Sequence, residues 1–373
     1  EPWQGQLYDS ANLWNPASPS IKSWGCALTS AAMVLNYHGL FKLPNSAVIT
    51  PGTLNTWLKG EKDGYVRNGL VNWLAISRLS KKAKQSGYNE NFHYDALEFN
   101  RLGSSSQDQL KTDLENGIPG ILEQPGHFVV AKGSTPTSFL INDPFYARES
   151  LMDGYSNSYI SLLRYVPSNT DLSYFMFIGE SNLSLNLTDE NNSLVGESFI
   201  TQPIQNALNQ AQKSGPSTIE LLSKNPSTGE YRLTVKPSAP SLYSLDLYLY
   251  DKHGEPHTEF ITGFATSTKP DILLITFDHE NSRNITAKKA ITYASIIEDI
   301  KEAIVLNKIN KNLGNNLILQ IKLAEKLQPK RKPQSLAILR VTQQLLTVSK
   351  GILLKPDAYT ILNDSLQALI STP

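Results

Sequence analysis

The chain has one cysteine, no net charge and no long apolar run, and each shortage narrows what it can be. The single thiol, Cys26, permits no internal disulfide, which removes the usual covalent sign of secretion while remaining compatible with it. Lys and Arg (34) balance Asp and Glu (34), so no global field exists to hold nucleic acid or an anionic membrane. No stretch reaches the ~20 apolar residues that a membrane helix needs, and no membrane span is expected. Glycine-rich phosphate loops are missing, so no cofactor is expected. His253 and His257 flank Gly254 and Pro256 in an expected turn, which removes the helical spacing that would align them on a metal, and no metal site is expected.

What is there divides into three regions, as 373 residues exceed one ordinary core. All five tryptophans (Trp3, Trp14, Trp24, Trp57 and Trp73) lie in the first. Helical patterning follows Cys26 to Tyr37 and stops at Gly39; further helices are expected at Thr53–Lys59, after Pro51, and at Gln107–Asn116. The runs starting at Gly120, His127 and Ser138 are short, β-branched or aromatic, and separated by Gly, Pro and Ser, so they read as successive antiparallel strands. From Ser181 to about Gly215 the composition turns to Asn, Ser, Asp and Gln, which predicts a connection or a short exposed strand pair. Alternating runs from Thr218, Gly229, Ser244 and Ile272 then predict a small β-sandwich. After Lys288 the period becomes helical, with stripes at Ile296, Ile300 and Ile304 and at Leu317, Ile321 and Leu327, and three or four helices complete a bundle. The basic run Pro329-Lys-Arg-Lys-Pro reads as a solvated interhelical loop. The expected organisation is α+β: residues 1–180, a sandwich with its incoming linker at 181–285, and a bundle at 286–373.

The chemistry concentrates around Cys26. In Ser23-Trp-Gly-Cys-Ala-Leu-Thr-Ser a glycine precedes a cysteine at an expected helix start, where partial positive charge and unpaired N–H groups favour the thiolate. A lone cysteine there also reads as a small buried hydrophobe. A thiol nucleophile needs a base, a group that orients the base, and donors for an oxyanion. His127 opens an expected strand after a Pro-Gly turn and can serve as base, or be a surface turn histidine. Asp143, in Ile141-Asn-Asp-Pro, ends the next strand; it can accept from one ring nitrogen of His127 or simply form an Asx turn. The Cys26 N–H is one oxyanion donor, and the side-chain amide of Gln4 or Gln6 supplies a second.

Taken in order, Trp24-Gly-Cys-Ala-Leu-Thr-Ser, His127-Phe-Val-Val-Ala-Lys-Gly and Phe139-Leu-Ile-Asn-Asp-Pro resemble the papain-fold peptidases of family thirty-nine of the cysteine peptidases, the double-glycine leader peptidases and their relatives. The resemblance covers roughly residues 1–165. By position it implies Cys26 as nucleophile, His127 as base and Asp143 as the orienting residue, and the opening Pro2-Trp-Gln-Gly-Gln favours Gln6 over Gln4 as oxyanion donor. It implies a papain-like domain, a peptide or protein substrate, and a stand-alone exported relative rather than a transporter-linked one. The start at Glu1 agrees with a processed, exported chain, secreted or at the cell surface. The other regions resemble accessory sandwich and spacer modules of secreted bacterial surface proteins, whose partner would be a surface polymer or protein. Two alternatives keep the same residues: an amidase, deamidase or transpeptidase acting on side-chain or cell-wall amides, and an inactive binding or adhesion module of the cell surface.

Overall fold

A computed structural model describes residues 2–8, 19–169 and 171–371; Glu1 and Trp14 lie outside the described residues. The first helices are the single turn α1 (Ile21–Trp24), α2 (Cys26–Tyr37), α3 (Pro51–Gly60) and, after the two-residue strands β1 (Tyr65–Val66) and β2 (Leu70–Val71), α4 (Trp73–Gln85). Then come β3 (Ala96–Gly103), α5 (Gln107–Glu115), β4 (Gly120–Gln124), β5 (His127–Ser134), β6 (Phe139–Asn142), the short α6 (Leu151–Tyr155) and β7 (Ser161–Ser168). The sheet runs β3-β7-β4-β5-β6, antiparallel at every step.

Local chemistry sets the elements that matter most. Thr50 and Thr53 form a reciprocal capping box at α3, and Pro51 starts that helix where its missing N–H costs nothing. Asn72 caps α4 by accepting from the Leu74 N–H at 3.0 Å. Ser20 caps α1, and Gly25 joins α1 to α2. A Cβ on Gly25 would stand 2.6 Å from the Ile21 carbonyl oxygen, so only glycine allows the two helices to follow so closely. Pro125 and Gly126 form the two-residue turn between β4 and β5, with Gly126 at a φ of +73°.

The second region contains β8 (Tyr174–Glu180), β9 (Leu183–Thr188), β10 (Leu194–Val195), β11 (Glu197–Thr201), β12 (Thr218–Lys224), β13 (Gly229–Pro237), β14 (Ser241–Tyr250), β15 (Pro256–Ala265), β16 (Asp271–Phe277) and β17 (Thr286–Lys289). They form two five-stranded sheets, β11-β12-β8-β14-β15 and β10-β9-β13-β16-β17. Two differences from the sequence expectation stand out. The stretch from Ser181 does open with a strand pair, β9 and β10, but β9 is not exposed: Leu183, Leu185 and Leu187 alternate into the core while their neighbours face outward, so a polar composition hides a half-buried strand. Strand β8, within residues 1–180, hydrogen-bonds to β12 and β14 of the sandwich rather than to the first sheet.

The reason is that the β8 sheet is buried on both faces. Phe175 and Phe177, with Leu221, Leu245, Leu247 and Leu249, pack against the second sandwich sheet. Tyr174, Met176 and Ile178, with Leu222, Tyr248 and Tyr250, pack into the same core as α2, α3 and α4. Polar ties reinforce the junction: Arg67 meets Asp246 at 2.8 Å, and the Tyr250 hydroxyl donates to Asp63 at 2.8 Å. Helices α7 (Tyr293–Val305), α8 (Lys311–Leu327), α9 (Lys332–Ser349) and α10 (Pro356–Ser371) pack their apolar faces together and receive Phe264 from β15. The basic run spans the turn between α8 and α9 and the first turn of α9.

Candidate active site

Cys26 is the first residue of α2, and α2 lies against β5, where Ser30 reaches the Phe128 carbonyl oxygen at 3.4 Å. That packing places the start of the helix beside the start of the strand, which is His127. Cys26 is 8% exposed and so is reachable only from the cleft. As the opening residue of a helix, it has a backbone N–H with no intrahelical acceptor, and its sulfur lies at the positive end of the helix dipole.

Register explains the next contact. Strands β5 and β6 run antiparallel with Val130 opposite Asn142, so the residue after β6 falls near the start of β5. Nε2 of His127 lies 2.8 Å from Oδ1 of Asp143, which leaves Nδ1 as the free ring nitrogen, and His127 and Cys26 line one cleft. Both readings of Asp143 are realised together: its Oδ1 also accepts from the N–H groups of Phe145 and Tyr146 at 3.0 Å, the Asx turn of the Asn-Asp-Pro sequence.

The electrostatics follow from these contacts. Burial alone would lower the His127 pKa, but interaction with Cys26 and with Asp143 outweighs it and carries the imidazole up to about 9. Burial would raise Asp143, but hydrogen bonds from His127 and Tyr155 prevail and bring it down to about 2. The site is therefore built to keep a positive imidazolium between two groups that can carry negative charge.

Three residues that the sequence does not single out complete the surroundings. The Tyr155 hydroxyl donates to Oδ2 of Asp143 at 2.6 Å, the Tyr146 ring meets the His127 ring edge-on at 5.5 Å, and the Arg148 guanidinium stacks over both tyrosines at 4.3 and 4.8 Å. The nearest signal is the aromatic and basic content of Phe145-Tyr-Ala-Arg, which follows Asp143-Pro144.

The two glutamines exchange places relative to the sequence preference. Gln4, in the helical turn Pro2–Gly5, lines a cleft of roughly 190 Å³ together with Gly25, Cys26, Thr29 and His127. Gln6 does not line it: its side chain is exposed, and its backbone carbonyl accepts from the Ile21 N–H at 2.9 Å. The turn that ends at Gly5 directs Gln4 inward and Gln6 outward, which residue order alone does not reveal. Among the described residues, no group of three or more His, Cys, Asp or Glu is placed to hold a metal ion, and no helix is long and apolar enough to cross a membrane.

A helix that presents a cysteine to a histidine on an antiparallel sheet defines the papain-like class of thiol peptidase domains. Residues 7–166 match the model of the Peptidase_C39 like family, which supports a papain-like cysteine peptidase domain of that type in this part of the chain. No curated protein and no solved structure matches the chain.

Proposed function

We propose that the chain hydrolyses peptide bonds through Cys26, His127 and Asp143. The observation that carries this reading is the position of His127, hydrogen-bonded to Asp143 at 2.8 Å and lining the same cleft as Cys26. In the proposed reaction the Cys26 thiolate attacks the scissile carbonyl carbon and forms the C–S bond. The oxyanion is held by the Cys26 N–H and the side-chain amide of Gln4, the glutamine that lines the cleft. As the C–N bond breaks, the imidazolium of His127 gives its proton to the leaving amine. Water then attacks the acyl carbon, its proton passes to His127, and the C–S bond breaks to release the acid and restore the thiolate. Asp143 keeps the ring oriented throughout and offsets its positive charge.

Cys26→Ala is the direct test. The variant should lose turnover of a peptide mixture, read by mass spectrometry of the products, while its circular dichroism stays that of the unaltered protein. Hydrolysis by Cys26→Ala at the unaltered rate would remove the thiol from the mechanism. Products that have lost ammonia without backbone cleavage would reassign the reaction to amide side chains.

A further inference from the structure

We propose that the segment 202–215, carried by the β-sandwich, is the closed end of the substrate cleft and confines cleavage to bonds near a chain terminus. The proposal rests on the peptidase reading above. The segment connects β11 to β12, neighbours in one sheet, yet it leaves the sandwich and crosses to the candidate active site. There the Gln205 N–H donates to the Gly126 carbonyl at 2.8 Å, and the Ala207 N–H donates to the Ser23 carbonyl at 2.8 Å. Gly126 immediately precedes His127, and Ser23 lies just ahead of Gly25 and Cys26. Two residues of one segment thus bridge the helical wall and the sheet wall, and both line the cleft that holds Cys26 and His127. The fit is close enough that a Cβ on Gly126 would stand 2.7 Å from the Cβ of Gln205.

This is a fixed wall rather than a loose flap. Its incoming root is tied to the peptidase sheet: Arg101 donates to the Thr201 hydroxyl at 2.8 Å, and the Gln202 N–H donates to Glu123 at 3.3 Å. Ile204 is fully buried in the core shared with α2 and α4. The two arms are cross-linked by the Ile204 N–H to the Ser214 hydroxyl at 2.9 Å and the Ser214 N–H to the Ile204 carbonyl at 2.8 Å. At the tip, the Asn206 N–H donates to the Gln212 carbonyl at 3.0 Å, and Gln210 reaches the Tyr146 hydroxyl at 2.7 Å, on the side of the site that holds His127.

The consequence concerns how a peptide enters. An extended chain running through a cleft needs backbone partners on the walls, as a strand added to a sheet does. At this end the carbonyls of Ser23 and Gly126 already accept from the segment. The part of the cleft that Gln205 and Ala207 line with Cys26 and His127 is small, roughly 190 Å³. With that end closed, a substrate extends mainly to the other side of the scissile bond, so an internal bond of a long chain is seated poorly.

The test uses the full chain and one internal peptide sequence presented with free ends, with an acetylated N-terminus, with an amidated C-terminus, and embedded in a long unfolded polypeptide. Cys26-dependent cleavage should occur near one free end and be slower by about a hundredfold or more at the same bond inside the long chain. In a variant with 207–211 replaced by two glycines, a turn across the facing residues Asn206 and Gln212, internal cleavage should rise by about tenfold or more. Equal cleavage of terminal and internal bonds by the unaltered chain would overturn the proposal whatever the variant does, and would leave the peptidase reading standing. If no peptide in the set is cleaved in a Cys26-dependent way, the peptidase reading fails and this inference falls with it.

Discussion

The hydroxyl of Tyr155 stands 2.6 Å from Oδ2 of Asp143, while His127 holds Oδ1, so the carboxylate is gripped from two sides. Tyr155 sits at the end of α6, and the helix is started by Ser150, whose side chain accepts from the Asp153 N–H. The Tyr155→Phe variant keeps the ring and removes the donor. It should lower unfolding free energy by about 1–3 kcal/mol, the cost of leaving one oxygen of a buried charged group without its partner. Urea denaturation measures the loss, and an unchanged midpoint would show that Tyr155 is a bystander.

The His127 pKa of about 9 predicts a pH dependence of stability with a definite sign. A group whose pKa is raised on folding binds its proton more tightly in the folded state. Its contribution is therefore present in full below the ordinary histidine value of 6.5, declines between 6.5 and about 9, and is gone above that. The unaltered protein should lose stability over this window relative to His127→Ala. Parallel denaturation profiles from pH 6 to 10 would contradict the assignment. In activity, the same proton is the one proposed to reach the leaving amine, so turnover should fall on the alkaline side with a midpoint near 9.

Arg101 lies at the centre of a buried charge cluster between the peptidase sheet and the sandwich. It reaches Glu123 and Glu220 at 2.6 Å each, and it stacks over the Phe199 ring. Arg101→Met would leave two buried carboxylates without their shared cation. A destabilisation of about 3–5 kcal/mol is expected, as for breaking a buried ion pair from one side. Thermal unfolding checks it, and a loss below about 1 kcal/mol would mean that water replaces the guanidinium.

The elements with strong punctuation are legible in the sequence, and the ones that depend on tertiary burial are not. Helix α2 announces itself through Gly25, an apolar run and Gly39; β5 does so through Pro125-Gly126 and the run from His127. His127 and Asp143 are visible as candidates because neighbouring antiparallel strands bring the start of one near the end of the next. The expected boundary at 180 separates β8 from its sheet because Tyr174-Phe-Met-Phe-Ile is apolar throughout; a strand buried on both faces shows no alternation to say which sheet it joins. Helix α4 escapes because Arg78 and Ser80 interrupt its apolar pattern, yet both are buried with partners, Arg78 on Glu61 at 2.8 Å and Ser80 on the Leu97 N–H at 2.7 Å. The choice between Gln4 and Gln6 depends on one helical turn near the start of the chain, and composition carries no trace of it. The contact of 202–215 with the cleft joins residues far apart in the chain, with nothing polar or apolar in the segment to mark its destination.

The sheet that contains β8 serves as the floor of one region and the wall of the next. A fragment ending at Glu180 would keep β8 but strip away β12 and β14, its partners on both edges, and would expose Tyr174, Met176 and Ile178 to water. Such a fragment presents an apolar strand with two unpaired edges, which invites sheet-to-sheet aggregation rather than a smaller folded domain. A cut at residue 180 would thus pass through a shared core rather than between two separate ones.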